Sequence, residues 1–468
     1  MWICELKPEL GGLRDQIYTS FKEAYAAGRM KTGERLPSKR ALAARLGVSA
    51  ITVEGAYAQL ISEGYVVARP KRGYFVADVF VGAPFVVGSA LSSGLKGRYD
   101  QGKSDERVEI DLSSGMADPK TFPFATWARI LRETITTRER ELMTPSPSKG
   151  VAPLRAAIAE HLARFRGMSI DPEQIVVGAG SEYLYGLAFQ LLGRDKRYAL
   201  ENPGYPKIGQ VYGSLGAELS FVDSDSRGMR VVGLAESGAN VAHLSPTNQY
   251  PTGAVMPISR RYELLAWASD AAERWIVEDD YDSEFRFSGR PIPTLQSVDA
   301  LGKVVYMNTF SQSISSTIRI GYAVLPETLL DRFDERLSFY SNTVSTFEQH
   351  ALAEFVRRGC FERLLNKRRL HYARVRTAIV ENLKSSALAD RCELFERDSG
   401  LHFLLKLHTS TPDAELARRM TDAKIRLTPV ANFYRDPERA EPKTYLLRYS
   451  NLDPEKARIA FDRIARLL

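Results

Sequence analysis

The stretch Trp275-Ile276-Val277-Glu278-Asp279-Asp280-Tyr281-Asp282 is typical of the strands that predict the fold of the larger part of the chain. It begins as a short apolar strand and ends on carboxylates. Similar apolar runs recur on both sides of it, with amphipathic helical segments between them. The predicted strands are 174–177, 198–201, 241–244, 275–278 and 304–307. This alternation predicts an α/β fold with a mostly parallel sheet and helices on both faces.

Ligands of such sheets bind at the carboxyl ends of the strands. Side chains alternate between the two faces of a strand, so Asp279 and Tyr281 share one face and Asp280 points to the other. A carboxylate at this position can hold a protonated ring nitrogen, and a phenol beside it can reach a ring oxygen. A solvated acidic loop is the alternative interpretation of the same residues.

Two further segments suit an anion. Val177-Gly178-Ala179-Gly180-Ser181-Glu182 has the pattern of a strand, a glycine turn and a helix start, where free N–H groups bind phosphate. A purely structural turn is the alternative. Thr309 and Ser311 follow the last predicted strand, and Arg319 comes soon after them. Arginine matches phosphate geometry in a bidentate manner, so these three residues are candidate phosphate ligands.

The first 77 residues have a different pattern. Apolar residues at helical spacing predict three helices, over 13–27, over 41–46 and from Ser49 to Gly64. Ser38 and Ser49 are the predicted N-caps of the second and third helices. The runs 65–69 and 74–77 predict a hairpin with the basic tip Pro70-Lys71-Arg72-Gly73. Two helices joined by a tight turn and followed by a basic wing are typical of DNA-binding domains, and an ordinary helical hairpin is the alternative.

Charge and domain organisation agree with this division. The chain carries a net charge of +7, and its first 80 residues hold 12 basic and 8 acidic side chains. A small basic head on a nearly balanced body fits a nucleic-acid-binding module joined to another domain. We predict a DNA-binding domain over 1–77, a flexible Gly- and Ser-containing linker over 78–108, and a body over 109–468 whose small C-terminal part begins at about 345.

Composition excludes several classes of protein. The 468 residues are 44% hydrophobic, and no stretch approaches the ~20 apolar residues that cross a membrane. The start, Met1-Trp2-Ile3-Cys4-Glu5, has no secretory pattern. Cys4, Cys360 and Cys392 are too few and too scattered for a disulfide framework or a metal cluster. We therefore expect a cytoplasmic protein that uses neither a membrane nor a metal.

The head resembles the winged-helix domain of the GntR superfamily of bacterial transcription regulators. The likeness covers about residues 12–77 and is carried by Gly33-Glu34-Arg35-Leu36-Pro37-Ser38-Lys39-Arg40, Leu46-Gly47-Val48-Ser49, Thr52-Val53 and Glu63-Gly64-Tyr65. It implies that the DNA contacts are Arg35, Lys39, Arg40, Thr52, Lys71, Arg72 and Gly73. Where this superfamily usually has a polar pair after the capping serine, the chain has Ala50-Ile51. This departure implies either that the start of the recognition helix does not read bases or that it reads them by apolar contact with thymine methyl groups.

The body resembles the fold-type I aminotransferases that use pyridoxal 5'-phosphate. Besides the motifs above, the likeness is carried by Phe122-Pro123, Leu154-Arg155, Asn202-Pro203-Gly204-Tyr205-Pro206, Pro251-Thr252-Gly253, Arg260-Arg261 and Leu447-Arg448-Tyr449-Ser450. Head and body together resemble the MocR-type regulators, in which an aminotransferase-like domain serves as a sensor.

The resemblance also implies individual roles in the body. The cofactor phosphate would be bound by Ser181, Glu182, Thr309, Ser311 and Arg319. Tyr205 would stack on or flank the pyridine ring, Asp279 would pair with the ring nitrogen, and Tyr281 would pair with the phenolic oxygen. Arg448 matches the arginine that binds an amino-acid carboxylate, and an ion pair with a surface acid is the alternative for it.

One departure from the aminotransferase pattern bears directly on activity. Gln312 stands where the family has the lysine that forms the Schiff base, and an amide cannot form an imine. Lys303 lies upstream across a predicted strand and is a poor substitute. Tyr250 replaces the asparagine of catalytic aminotransferases, and Asn248 replaces a histidine frequent in the regulators. The resemblance therefore implies no catalytic residue and no transamination.

The leading hypothesis is a regulator that binds double-stranded operator DNA and senses pyridoxal phosphate, a small amino-containing effector, or an adduct of the two. The cofactor would bind noncovalently or as an external aldimine. The family implies a homodimer, with the subunits arranged head to tail. An active aminotransferase with a DNA-binding head is one alternative, and a pseudoenzyme regulator that no longer binds the cofactor is the other.

Overall fold

The chain folds into two compact units, Met1–Lys103 and Ser104–Leu468. The computed structural model describes Leu6 and residues 12–78, 108–287, 292–395 and 400–468. The linker predicted over 78–108 falls mainly on 79–107, which lie outside the described residues. The linker therefore stays a prediction, as does the subdivision of the body at about residue 345.

The described residues of the smaller unit form three helices and a hairpin. Its elements are α1 (Leu13–Ala26), α2 (Lys39–Leu46), α3 (Ala50–Ser62), β1 (Val66–Arg69) and β2 (Gly73–Val76). β1 and β2 are antiparallel. Ser38 Oγ accepts from the Ala41 N–H at 3.2 Å, and Ser49 Oγ accepts from the Thr52 N–H at 3.1 Å. These bonds cap α2 and α3, and the predicted winged helix is confirmed.

The larger unit begins with β3 (Ile110–Asp111). Its further strands are β4 (Ile175–Gly178), β5 (Arg197–Asn202), β6 (Glu218–Asp225), β7 (Gly228–Met229), β8 (Val241–Leu244), β9 (Trp275–Asp279), β10 (Val304–Thr309), β11 (Gly321–Val324), β12 (Cys392–Phe395), β13 (His402–Leu407), β14 (Ile425–Arg426), β15 (Thr428–Pro429) and β16 (Thr444–Arg448). All five predicted strands are present, with Gln174 lying in a 3-10 turn just before β4.

Helices alternate with these strands. They are α4 (Phe124–Thr137), α5 (Glu139–Leu142), α6 (Ala152–Arg166), α7 (Ser181–Leu192), α8 (Pro206–Ser214), α9 (Val231–Glu236), α10 (Ile258–Ser269), α11 (Phe310–Ser313), α12 (Leu330–Leu337), α13 (Thr346–Arg357), α14 (Cys360–Lys384), α15 (Asp413–Asp422) and α16 (Pro454–Leu467). Short 3-10 turns occur at Pro119–Thr121, Pro172–Gln174, Gln296–Val298, Glu327–Leu329, Ala389–Arg391, Val430–Phe433 and Pro437–Arg439.

Eight strands form the main sheet, in the order β4-β11-β10-β9-β8-β5-β6-β7. The neighbours from β10 through β9, β8 and β5 to β6 are parallel, while β11 is antiparallel to both β10 and β4. Ile175 and Val177 of β4 pack into one apolar cluster, and Val176 packs into another on the opposite face. Both faces are covered by helices, as the apolar pattern predicts.

A smaller antiparallel sheet has the order β12-β13-β16-β15, and β14 pairs in parallel with β3. Its central strands β13 and β16 align His402 with Arg448. The last residue of β16 is Arg448, so this sheet directs one arginine toward the edge of the main sheet where β9 and β10 end.

Candidate functional site

A cavity of about 740 Å³ lies at the carboxyl ends of the parallel strands. It is where the sequence predicts a ligand, because the loops after β5, β8, β9 and β10 converge there. All ten body residues predicted from the sequence line it, namely Ser181, Glu182, Tyr205, Asp279, Tyr281, Thr309, Ser311, Gln312, Arg319 and Arg448. They come from segments up to 267 positions apart and meet only in the folded chain.

Asp279 ends β9 on the pocket face. Its Oδ2 accepts a 2.6 Å hydrogen bond from the Tyr185 hydroxyl, and His243 Nε2 lies 3.6 Å from the same oxygen. Tyr212 Oη is 2.9 Å from the other ring nitrogen of His243. Burial and the Asp279 charge raise the pKa of Tyr185, so its hydroxyl keeps the proton that it donates. The buried Tyr185 hydroxyl thus holds this carboxylate in place at the floor of the pocket, and the buried His243 ring lies beside it.

Asp280 points to the opposite face, as strand alternation predicts. Its Oδ2 lies 2.7 Å from Arg166 and accepts a 2.7 Å bond from the Tyr306 hydroxyl. Thr247 donates to the other oxygen. Asp280 is 1% exposed, so the solvated acidic loop is wrong for this carboxylate. Arg166 on α6 thus holds the end of β9 on the face of the sheet opposite the pocket.

Tyr281 belongs to a second hydrogen-bonded group. Asn248 Nδ2 donates to Tyr281 Oη at 3.1 Å and to both oxygens of Asp282, at 3.0 and 2.8 Å. Burial is the largest cause that raises the pKa of Asp282 to about 8. The Tyr250 ring packs edge-on against Tyr281 with a centroid distance of 6.1 Å. Asn248 and Tyr250, the two departures noted in the sequence, therefore lie beside the predicted ring-binding tyrosine.

The glycine turn and Arg319 form the opposite end of the pocket. Arg319 Nη2 donates to the Ala179 carbonyl at 3.1 Å and lies 3.0 Å from the Glu182 carboxylate. Gly180 has a φ of +87°, and a Cβ there would lie 2.8 Å from Arg319 Nη2. The turn thus requires glycine for its backbone conformation and for the approach of the guanidinium.

Glu182 is also paired with a cation that the sequence reasoning missed. Lys207 Nζ donates to its carboxylate at 2.7 Å, and this bond is the largest cause that lowers the pKa of Glu182. An ionised carboxylate repels phosphate, so only the backbone N–H of Glu182, in the first turn of α7, suits that ligand. Lys207 follows Tyr205-Pro206 directly, and this adjacency was the available signal.

Gln312 lies on α11 and lines the pocket. Its backbone carbonyl accepts from Arg368 at 3.2 Å, and Arg368 Nε donates to Thr121 Oγ1 at 3.0 Å. Among the described residues, the side-chain amide of Gln312 has no hydrogen-bond partner. Lys303 precedes the first residue of β10, whereas Gln312 follows its last residue. The length of β10, at the rise of a strand, separates the two residues by about 20 Å. Lys303 Nζ donates to the carbonyls of Ala271 and Ala272 and cannot serve this pocket.

Arg448 reaches the pocket from the small sheet. Its Nη2 donates to the Tyr250 hydroxyl at 2.9 Å, and its guanidinium lies 5.4 Å from the centre of that ring. Gly115 leaves room for it, because a Cβ there would overlap the guanidinium. Within the described ranges no acid lies within 4.0 Å of Arg448, so the alternative of a surface ion pair is not supported.

Sequence reasoning also missed Tyr185 and His243. Tyr185 lies four residues after Ser181 on α7 and therefore shares its helix face. His243 lies on β8 within the predicted strand 241–244, next to β9 in the sheet. The helical period places Tyr185 on the face of Ser181, and the strand pattern places His243 on β8. Neither pattern alone shows that both side chains meet Asp279.

The predicted DNA contacts of the head lie before α2, on α2, on α3 and in the hairpin. Arg35 forms a β-bridge with Phe75, and a Cβ on Gly73 would lie 3.7 Å from its Nε, so Arg35 and the wing are brought together. Lys39 lies 2.5 Å from Glu54. Arg40, Lys71 and Arg72 are exposed. The Thr52 hydroxyl is 2.8 Å from that of Ser49, so it is already hydrogen-bonded.

The described residues do not meet the requirements of a membrane-spanning helix or of a metal site. They contain no helix of the length and apolar character that crossing a membrane requires. They also contain no group of three or more His, Cys, Asp or Glu side chains placed to hold a metal ion.

Two family models match the chain in the order of its two units. The model described as bacterial regulatory proteins, gntR family, matches residues 13–76. The model described as aminotransferase class I and II matches residues 108–464.

Relatives align with nearly the whole chain and therefore with both matched parts. YhdI of Bacillus subtilis (strain 168), named an uncharacterized HTH-type transcriptional regulator, is 32% identical over 97% of this chain and 95% of its own. The probable rhizopine catabolism regulatory protein MocR of Rhizobium meliloti is 32% identical over 95% of this chain and 91% of its own. The chain belongs to the MocR-type regulators of the GntR family. It is a transcriptional regulator with an aminotransferase-like domain, which confirms the resemblance.

The larger unit of this MocR-type regulator has the fold of a solved aminotransferase structure. The multiple substrate aminotransferase from Thermococcus profundus aligns with a TM-score of 0.68 and 24% identity, over 83% of this chain and 96% of that chain. The predicted fold class is confirmed.

Proposed function

We propose that this regulator binds pyridoxal 5'-phosphate in the pocket without a covalent bond and responds to an amino compound carrying a carboxylate. The observation that carries the proposal is the position of Gln312, an amide on a pocket wall where every other candidate ligand converges. The cofactor family is implied by the aminotransferase fold, whose members use pyridoxal phosphate.

The glycine-turn end of the pocket suits the phosphate group. Arg319 and Lys207 supply positive charge there, and the hydroxyls of Thr309 and Ser311 lie on the same lining. The first turn of α7 begins at Ser181 and adds N–H groups that have no intrahelical partner. Charge-assisted bonds from several directions support a dianion at this end.

The floor of the pocket suits the pyridine ring. Asp279 is 5% exposed and is held by Tyr185, so its carboxylate is positioned to accept a hydrogen bond from a protonated ring nitrogen. Tyr281 would donate to the phenolic oxygen of the ring. Tyr205, which lies edge-on to Tyr250 at 5.7 Å, would flank the ring. When bound, the cofactor supplies an aldehyde that reacts with amines.

Arg448 would bind the carboxylate of the effector. Its guanidinium has a phenol as its hydrogen-bond partner and no acid within ion-pair distance among the described residues. A guanidinium without an acidic partner preferentially binds a carboxylate in a bidentate manner. This preference favours an amino acid, or the cofactor already joined to one, over a simple amine.

The pocket chemistry argues against transamination. That reaction needs an amine that forms the imine and then moves a proton, and Gln312 provides neither function. Lys207 also lines the pocket, but its Nζ is paired with Glu182. We therefore propose a sensor, in which ligand binding shifts the relative stability of two arrangements of a head-to-tail homodimer that differ in affinity for operator DNA.

Gln312→Lys tests the proposal, with Gln312→Met as the control of similar size without an amine. Each protein is incubated with pyridoxal phosphate, reduced with borohydride and weighed by mass spectrometry. We expect one reduced cofactor attached at position 312 of the Gln312→Lys chain only, together with a yellow imine band before reduction. Absence of the adduct in Gln312→Lys would mean that the pocket does not hold the cofactor, as in a ligand-independent regulator.

The aminotransferase alternative is tested on the same proteins. Conversion of an amino acid to its keto acid by the unaltered chain, above the level of Gln312→Met, would contradict the sensor role.

A further inference from the structure

The exposed face of α3, where the recognition helix of a winged helix meets DNA, is apolar except for Glu54 in its first two turns. Val53, Ala56, Tyr57 and Leu60 are buried in the core of the head. Ala50, Ile51, Glu54 and Ala58 lie on the opposite, exposed face. Ile51, in the first turn of α3, is 79% exposed, the highest value for any large apolar side chain among the described residues. A single exposed apolar side chain is ordinary on a protein surface, so the position of Ile51 in the first turn of α3 carries the argument.

The polar side chains of the first two turns of α3 are already engaged. Thr52 shares a hydrogen bond with Ser49, and Glu54 accepts from Lys39 at 2.5 Å. α3 contains no lysine, arginine, asparagine or histidine. Its remaining amide, Gln59, donates to Glu63 at 3.2 Å near the far end of the helix. The leading turns thus offer no donor pair of the kind that reads guanine or adenine.

We infer that Ile51 reads thymine by packing against its 5-methyl group in the major groove. This inference rests on the DNA-binding function proposed for the head. Each base pair presents hydrogen-bonding atoms there, and the thymine methyl is the apolar group among them. In a helix-turn-helix domain the N-terminal residues of the second helix contact the base edges, and Ile51 occupies that place on α3.

The positions of the charges around α3 agree with a head in which cations contact phosphate and α3 contacts the bases. The cations of the head that are predicted to contact DNA lie on α2, before it and in the wing, at Arg35, Lys39, Arg40, Lys71 and Arg72. These side chains neutralise phosphate and position the domain, but they carry no sequence information. Base selection is left to α3, whose contribution is apolar.

Deoxyuridine provides a direct test, because it differs from thymidine only by the 5-methyl group. Duplexes that bind the full-length protein are first selected from a random library. Each thymine of a selected duplex is then replaced by deoxyuridine, and the affinities are measured for the unaltered protein, Ile51→Ala and Ile61→Ala. Ile61 is the matched control, since it is 37% exposed in the last turn of the same helix.

Removal of one buried methyl group changes an equilibrium constant by about fourfold. We expect a loss of about that size at one or more thymines for the unaltered protein and for Ile61→Ala, and no loss at the same thymines for Ile51→Ala. Alanine is a strong helix former and Ile51 is exposed, so the substitution leaves the head folded.

Tight binding that no deoxyuridine weakens would overturn the inference and leave the DNA-binding function intact. Full sensitivity to deoxyuridine in Ile51→Ala would overturn it as well, because another residue would then read the methyl group. Failure to select any duplex would instead refute the DNA-binding function itself.

Discussion

The Arg319 guanidinium lies 3.0 Å from the Glu182 carboxylate, where the glycine turn meets α7. The other oxygen of the carboxylate accepts from Lys207 at 2.7 Å. The pKa of Glu182 is lowered, first by Lys207, so the carboxylate is ionised at neutral pH. Both cations proposed to bind phosphate are thus already bound to an internal anion, and an incoming phosphate must share them.

Glu182→Gln is therefore expected to raise the affinity for inorganic phosphate and for pyridoxal phosphate. The three side chains are partly exposed, so we expect a gain of only about two- to fivefold. Calorimetric titration measures it. Glu218→Gln is the control, because its partner Arg197 lies outside the lining of the pocket. Weaker phosphate binding by Glu182→Gln would mean that Glu182 orients the two cations instead of competing for them.

Gly180→Ala should displace Arg319, since the added Cβ would lie 2.8 Å from its Nη2. Loss of a charge-assisted bond predicts phosphate binding weaker by about tenfold or more. Gly167→Ala is the control for an alanine at a positive φ, because Gly167 has a φ of +65° and no atom within 4 Å of an added Cβ. Equal losses in the two variants would show that backbone strain, and not the position of Arg319, determines the affinity.

Arg448→Gln should remove the preference for a carboxylate. Two stable probes separate this effect from binding of the cofactor itself, reduced phosphopyridoxyl-alanine and phosphopyridoxyl-ethylamine, which lacks the carboxylate. The unaltered protein should bind the first more tightly by about tenfold or more, as for hydrogen bonds between charged groups. In Arg448→Gln the two affinities should be equal. A preference that survives the substitution would assign the carboxylate to another group.

Asp282 should make the stability of the body depend on pH. Burial raises its pKa to about 8 in the folded chain, whereas an unfolded aspartate ionises near ~4. Between these values the folded state retains a proton that the unfolded chain has lost, so the free energy of unfolding falls as the pH rises. Asp282→Asn removes this contribution.

Urea unfolding of the parent chain and of Asp282→Asn at several pH values checks this expectation. The stability of the variant relative to the parent should increase up to about pH 8 and then level off, once Asp282 also ionises in the folded chain. A constant difference over the whole range would show that Asp282 does not titrate in this interval.

Local periodicity accounts for most of what the sequence predicted. The two-residue period of a strand correctly placed Asp279 and Asp280 on opposite faces of the sheet. This prediction required only the local sequence of β9. The caps of α2 and α3 were likewise predictable, since Ser38 and Ser49 bond to N–H groups three residues away. The resemblance to a family added Arg448, which no local pattern could have assigned to the pocket.

Contacts between distant segments were not predictable in the same way. Glu182 was assigned to the phosphate from its place after the glycine turn, but the role of its side chain depends on Lys207, 25 residues later on α8. Asp280 is paired with Arg166, 114 residues away. Such pairs are set by how helices pack on the sheet, and a linear pattern does not contain that information.

The central claim is that this regulator binds pyridoxal phosphate without a covalent bond. It is tested most directly by calorimetric titration of the unaltered chain with pyridoxal phosphate, followed by borohydride reduction, dialysis and mass spectrometry. The account predicts saturable binding and an unchanged chain mass after reduction. Absence of binding, or a chain that retains one reduced cofactor, would contradict it.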